Sequence, residues 1–134
     1  SIAVQPGARV GAAVGRRHAA TCTTTGKLHL ARLPRSEVLT ILATQGLPKL
    51  GPRSITDPTR FLNELTRVHE RGYAINDEET DANVRFVGLP IALSGSGHTS
   101  CLILGAPAER LSNAAIPGVA RLLQEAASAI SDVA

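Results

Sequence analysis

The chain is 134 residues long, the size of one compact domain, and 43% of its residues are hydrophobic, which excludes wholesale disorder. It holds two Phe, one Tyr and no Trp, too few rings for a base-stacking nucleic-acid module. No apolar run is long enough to cross a bilayer, and the formal net charge is only +3. We therefore expect a single domain over residues 1–134 with an aliphatic core.

The first third of the chain predicts two helices. Residues 1–20 are expected to form short strands or irregular segments. A first helix is predicted from about Thr25 to Leu33, because cap-forming residues precede it and Pro34 resists helical backbone in the residue before it. A second is predicted over Arg35–Gln45, with Gly46 as its C-terminal stop.

The third helix has the clearest boundaries. Asp57 is its predicted N-cap, Pro58 occupies the first helical position, and Gly72 ends it. A final amphipathic helix begins near Pro117. Its apolar face is predicted to carry Val119, Leu122, Leu123, Ala126, Ile130 and Val133.

Between these helices lie three predicted strands, Tyr73–Asn76, Val84–Leu93 and Thr99–Gly105, with a hairpin loop at 94–98. Helices followed by an antiparallel sheet indicate an α+β domain in which helices pack on the sheet.

The sequence supports no enzyme or metal signature. Asp77, Glu79 and Asp81 imitate the start of a calcium loop, but Ala82 stands where its sharp turn needs Gly, so we expect a solvated acidic turn. Cys101 lies inside an apolar strand and is expected to be a small core residue. With few cysteines and no signal-peptide pattern, a bacterial cytoplasmic location is expected.

An anion site is the one chemical possibility that the residues retain. Thr24, Thr25 and Gly26 open the first helix, where backbone N–H groups, two hydroxyls and the positive end of the helix dipole coincide, and Gly permits close approach. The alternative at this stage is an ordinary N-cap.

Four segments resemble the C-terminal effector-binding domain of the IclR-type transcriptional regulators. The hallmark is ELTRVHERGYAINDEE at Glu64–Glu79. GKLHLARLP from Gly26, ITDP from Ile55 and GAPAERL from Gly105 accompany it in the family's order. The resemblance runs from about Thr21 to Val133, and its strength lies in four segments occurring in the right order.

The resemblance implies a GAF-like α+β domain, shortened at its N-terminus, that binds a small metabolite and helps a homodimer or tetramer to assemble. It implies neither catalysis nor a cofactor, and no membrane partner. In the family a separate winged helix-turn-helix domain binds the operator. We expect that DNA-binding domain to be absent from residues 1–134. Operator DNA would then be contacted only by the separate DNA-binding domain of the parent protein.

The family's effector contacts carry over residue by residue. In members that sense small keto acids, two amides before the Gly-Lys pair hold the effector, and an acidic residue follows the Gly-Tyr strand. A Cys and two Ser complete the polar ring, but those positions carry an aromatic, an aliphatic and a Gly residue here. Together with strand alternation, the resemblance predicts a site formed by Thr24, Thr25, Gly26, Asn76, Val84, Phe86, Ile103 and Gly105.

These departures make the predicted pocket more apolar than the family's. They disfavour a glyoxylate-sized acid and favour a larger small organic acid, aromatic or branched, stacked on Phe86 with its anion at Thr24 and Thr25. The alternative is a degenerate, ligand-free pocket in a module that serves only oligomerisation.

Overall fold

The computed structural model describes residues 19–93 and 100–133. Predicted segments in residues 1–18 and the hairpin loop at 94–98 lie outside this description. In chain order the elements are a 3-10 turn at Ala20–Cys22, helices α1 (Thr24–Leu30), α2 (Arg35–Gln45) and α3 (Pro58–Arg71), strands β1 (Ala74–Asp77), β2 (Val84–Ile91) and β3 (Ser100–Pro107), a 3-10 turn at Ala108–Arg110, and helix α4 (Ile116–Val133).

Local chemistry explains where the helices start and stop. The Asp57 carboxylate accepts a hydrogen bond from the Arg60 amide at 2.9 Å and caps α3, as predicted. That helix ends at Gly72, whose φ of 82° lies in the left-handed region that glycine adopts without strain. Helix α2 has its predicted bounds and ends at Gly46.

Helix α1 is shorter than predicted at its C-terminal end. It stops at Leu30 rather than Leu33 because the backbone tightens before Pro34. The amides of Arg32 and Leu33 bond to carbonyls three residues back, at 3.2 and 3.1 Å, instead of continuing the α-helical ladder.

The three described strands form one antiparallel sheet in the order β1-β2-β3. The predicted strands are confirmed with ends shifted by one or two residues, and with them the α+β class. The register pairs Asn76 with Phe86 and Phe86 with Gly105; one row away, Ala74 pairs with Gly88 and Gly88 with Ile103.

Helices cover both faces of this sheet. On one face, the α4 side, Val87 and Leu89 of β2 pack against α4. On the other, the α1 side, Ala74 of β1 packs against Leu28 of α1 and Val68 of α3. A third cluster, centred on the fully buried Phe61, joins α1, α2 and α3.

The predicted apolar face of α4 is partly wrong. The helix buries Ile116, Ala120, Leu123 and Ala127, whereas Leu122 is 65% exposed and Ile130 is 36% exposed. Two alanines at the contact let α4 lie close to the sheet, so small residues form the buried stripe and bulkier side chains beside it remain in solvent.

Candidate functional site

The start of α1 leaves two backbone donors without intrahelical partners. Thr23 is the N-cap: its Oγ1 accepts a hydrogen bond from the Gly26 amide at 3.1 Å, and its carbonyl accepts one from the Lys27 amide at 3.0 Å. The amides of Thr24 and Thr25 come first in the helix and have no acceptor within it. The N-cap alternative is therefore observed, and the Thr24 and Thr25 amides lie directly beside it. The anion site at these amides stays a prediction.

Gly26 has a structural role that the sequence analysis did not predict. Its amide is already bonded to the cap, and a Cβ at this position would overlap the backbone of Ala20. Glycine is needed here because the 3-10 turn packs directly on α1. The predicted approach of a ligand to Gly26 stays a prediction.

Thr24 and Thr25 face different surroundings. Thr25 is exposed, whereas Thr24 is only 3% exposed. The buried Oγ1 of Thr24 has no hydrogen-bond partner within residues 19–93 and 100–133. Because a buried hydroxyl without a partner costs about 1–3 kcal/mol, a hydrogen bond to this atom would be favourable.

Thr24 lies over the centre of the sheet, next to a residue that the sequence analysis did not single out. A Cβ built on Gly88 would stand 2.6 Å from Cγ2 of Thr24 and 2.9 Å from Cγ1 of Ile103. The glycine makes room for α1 on the strand. A glycine inside an apolar strand is the signal that could have found it, since such glycines often mark a close approach.

Strand alternation places the other predicted site residues on this same side. Val84, Phe86 and Gly88 share one face of β2, and the cross-strand partners of Phe86 and Gly88 on β3 are Gly105 and Ile103. Phe86 is half-buried, and Ile103 and Gly105 are exposed. The α1 side of the sheet thus carries the predicted apolar wall, and Thr24 lies against it.

Asn76 has a structural role where a ligand contact was predicted. Its amide nitrogen donates to the Cys22 carbonyl at 3.0 Å and to Thr80 Oγ1 at 2.9 Å, and its Oδ1 accepts from the Glu79 amide at 2.9 Å. Both amide hydrogens are used inside the protein. Asn76 therefore holds the chain just before α1.

The expectation of a solvated acidic turn is wrong for two of its members. Glu79 is 4% exposed, and its Oε1 lies 2.6 Å from the ammonium of Lys27, which is itself 1% exposed. Asp77 binds Arg85 at 2.8 Å, while Asp81 is exposed as expected. Lys27 was also missed. Its sequence signals are its place in the GKLHLARLP segment and the buried Leu28 directly after it.

Burial shapes the electrostatics of this region. Desolvation raises the pKa of Glu79, and the nearby Lys27 opposes the rise without cancelling it. Burial also raises the pKa of the half-buried Cys101, which packs against the cluster of Leu28, Val68 and Ala74 as a small core residue.

The described residues contain neither a candidate metal site nor a candidate membrane span. No group of three or more His, Cys, Asp and Glu side chains in the described ranges could hold a metal ion. No helix there is long and apolar enough to span a membrane.

Comparison with known proteins gives a family for this fold and site. The family model described as "Bacterial transcriptional regulator IclR C-terminal" matches residues 2–132. The chain belongs to this family. The predicted resemblance is confirmed, and this IclR C-terminal domain is a regulatory domain rather than an enzyme.

One relative and two solved structures are similar over most of the chain. The probable HTH-type transcriptional regulator ArcR of Halobacterium salinarum is 34% identical over 106 residues, 78% of this chain and 40% of its own length. The inducer-binding domain of a PobR double mutant from Acinetobacter, in complex with 3-hydroxybenzoic acid, has a TM-score of 0.80 at 27% identity, covering 94% of this chain and 74% of that one.

An IclR homolog of Microbacterium hydrocarbonoxydans, complexed with 4-hydroxybenzoate, has a TM-score of 0.74 at 27% identity, covering 90% of this chain and 48% of that one. The chain spans about half the length of the curated relatives that it matches.

Proposed function

We propose that this IclR C-terminal domain binds a small organic carboxylate, of aromatic or branched type, between the start of α1 and the α1 side of the sheet. The carboxylate accepts hydrogen bonds from the amides of Thr24 and Thr25, and the body of the ligand lies against Phe86 and Ile103.

The observation that carries the proposal is the buried Oγ1 of Thr24, which has no partner within the described ranges, beside two amides that have no acceptor within the helix. A carboxylate there satisfies all three groups. The helix end contributes about 0.3–1 kcal/mol, and stacking on an aromatic ring adds about 0.5–1.5 kcal/mol. An aromatic acid gains both the helix-end and the stacking contribution to its binding free energy, whereas a two-carbon acid gains only the helix-end contribution.

Two structural neighbours support the choice of ligand class. The PobR domain and the Microbacterium homolog are each complexed with a hydroxybenzoate, an aromatic carboxylate of the kind that the apolar wall favours. Val84 and Gly105 extend this wall along their strands. Asn76 is left out of the proposed contacts because its amide is already bonded.

Thermal melting with a panel of acids tests the proposal. The panel contains 3-hydroxybenzoate, 4-hydroxybenzoate and glyoxylate, with 4-hydroxybenzamide as the uncharged control. A ligand at a hundred times its dissociation constant adds about 2.7 kcal/mol and raises the Tm by several degrees. We expect a hydroxybenzoate to raise the Tm more than glyoxylate, and the amide to leave it unchanged.

The Thr24→Val variant is the matching structural test. It removes the unpartnered hydroxyl while keeping the shape of the side chain. Its stability should equal or exceed that of the parent chain, while the affinity for the bound acid falls about tenfold. Thr66→Val, an exposed residue of α3, is the control. A panel without any Tm shift, or a Thr24→Val variant of unchanged affinity, contradicts the proposal.

We also propose that ligand binding here controls how a regulator containing this domain binds operator DNA. The relatives are named HTH-type regulators and extend beyond the matched region. The chain alone should associate with duplexes only weakly and lose that association as salt rises. Operator-specific retention by the chain alone at physiological salt would contradict this division of roles.

Oligomerisation without a ligand is the competing function. The exposed Leu122 and Ile130 on α4 favour it, since large apolar side chains in solvent are typical of contact surfaces. Light scattering decides between them: self-association that Leu122→Glu abolishes, together with no response to any acid, supports the oligomerisation module.

A further inference from the structure

Two separate contacts hold the start of α1, one on each side of Thr24 and Thr25. Before them, the Cys22 carbonyl accepts hydrogen bonds from both Asn76 and Thr80. After them, the Lys27 ammonium reaches across to the strands. Residues 75–80, in β1 and the turn that follows it, supply partners in both cases.

The Lys27 contact is deeply buried and many-sided. Its Nζ donates to the Ile75 carbonyl at 2.8 Å, lies 2.6 Å from Glu79 Oε1 and lies 3.9 Å from Glu64 Oε1. Glu79 is fixed in turn, because its other carboxylate oxygen accepts from the Asp77 amide at 2.8 Å. Glu64 is also bonded to Arg71 at 2.9 Å.

A buried ion pair such as Lys27 and Glu79 adds little net stability to a fold. The desolvation of two buried charges roughly cancels their attraction, and an apolar pair of similar volume is often as stable. A bonded ammonium does fix direction, because its donors require acceptors at set positions. The seven-residue helix α1 gains a fixed rotation and depth over the sheet that apolar packing alone would not impose.

We propose that Lys27 and Glu79, together with the Cys22 anchor, are positioning residues that set the place of the Thr24 and Thr25 amides over the sheet. That these amides receive a carboxylate rests on the proposed function; that the two anchors fix them does not. The anchors touch no ligand and act through the backbone of residues 22–27.

Amide hydrogen exchange on the ligand-free chain tests this directly. The reporters are the amides of residues 26 and 27, whose bonds to Thr23 close the first turn of α1. In Lys27→Met we expect these amides to exchange about tenfold faster, equivalent to ~1.4 kcal/mol of local opening. The amides of α4 should keep their relative protection.

Arg85→Met is the matched control. Arg85 is also a mostly buried cation, bonded to Asp77 and to the carbonyls of Ala108 and Leu111, but it contacts no residue of α1 through these bonds. If Lys27→Met acted only by lowering overall stability, the amides of residues 26 and 27 would exchange as fast in Arg85→Met as in Lys27→Met. Equal acceleration in the two variants, at equal loss of stability, overturns the proposal.

Two further variants guard against misfolding. Lys27→Met with Glu79→Gln leaves no uncompensated buried charge, so its Tm should recover while the exchange of the reporters stays fast. Thr80→Val removes one of the two donors to Cys22 and should give a smaller acceleration of the same kind. Full recovery of slow exchange in the double variant, or no change in Thr80→Val, contradicts the positioning role.

The affinity for 4-hydroxybenzoate provides a second, separate readout. If the parent chain binds it, Lys27→Met should weaken binding and Arg85→Met should not. If the parent chain does not bind it, the proposed function fails for that ligand, but the exchange experiment still decides whether the anchors position the amides.

Discussion

The two sides of the sheet are held to their helices by different means. On the α4 side, Val87 and Leu89 pack against apolar side chains of the helix, among them Ala120 and Leu123. On the α1 side, a buried ammonium, a carboxylate and an asparagine amide join the helix to the strands. Shape packing supplies stability without directing individual atoms, whereas hydrogen-bonded charges direct atoms at little net gain in stability. The α1 side, where hydrogen-bonded charges fix the helix, also carries the Thr24 and Thr25 amides, which have no acceptor within the helix.

Removing apolar volume from the α4 side should have the largest effect on stability. Leu89 is 3% exposed in that cluster, so Leu89→Ala should lower the free energy of unfolding by about 2–5 kcal/mol through lost burial and a cavity. Urea denaturation measures the loss. If the two sides of the sheet are independent, the folded Leu89→Ala variant should bind ligand with unchanged affinity. A large loss of affinity would show that the two sides are not independent.

A methyl group added on the α1 side should have a smaller, reversible effect. Gly88→Ala places a Cβ 2.6 Å from Cγ2 of Thr24, and such overpacking costs about 1–3 kcal/mol. Combining it with Thr24→Ser removes that Cγ2 and keeps the hydroxyl. We expect the double variant to recover much of the loss in urea denaturation. Additive losses would place the strain elsewhere, for example at Ile103.

The smallest effect expected is a pH dependence from Glu79. Its pKa in the folded chain is raised above the ordinary value of 4.5, mainly by burial, so the folded state holds its proton more tightly than the unfolded state. The resulting contribution to stability is complete below pH 4.5 and is lost as the pH rises through the folded pKa. The unfolding free energy of the parent chain minus that of Glu79→Gln, measured from pH 4 upward, should therefore fall as the pH rises through the folded pKa of Glu79. A difference that does not change with pH would contradict this prediction.

Features set by neighbouring residues could be predicted from the sequence. The bounds of α3 follow from Asp57, Pro58 and Gly72, each of which acts within one turn of the helix. The same is true of α2, which ends at its glycine.

Features that depend on distant partners could not be predicted in this way. Glu79 reads as part of a solvated acidic turn until the fold brings Lys27 against it, fifty-two positions away in sequence. The stripe that α4 buries was misjudged because hydrophobicity favours Leu122, while close approach to the sheet favours Ala120. The structural role of Asn76 was not predicted for a similar reason, since its partner Cys22 lies far along the chain.

Phe86 and Ile103 belong to none of the three buried clusters among the described residues. Neither residue takes part in the contacts that fasten α1. In the proposed binding mode, substitutions at these two positions would alter the surface that meets the body of the ligand and leave the Thr24 and Thr25 amides in place. Under that proposal, a library confined to positions 86 and 103 should yield variants with a changed ligand preference and an unchanged melting temperature, and such a library is the starting point for converting this domain into a biosensor.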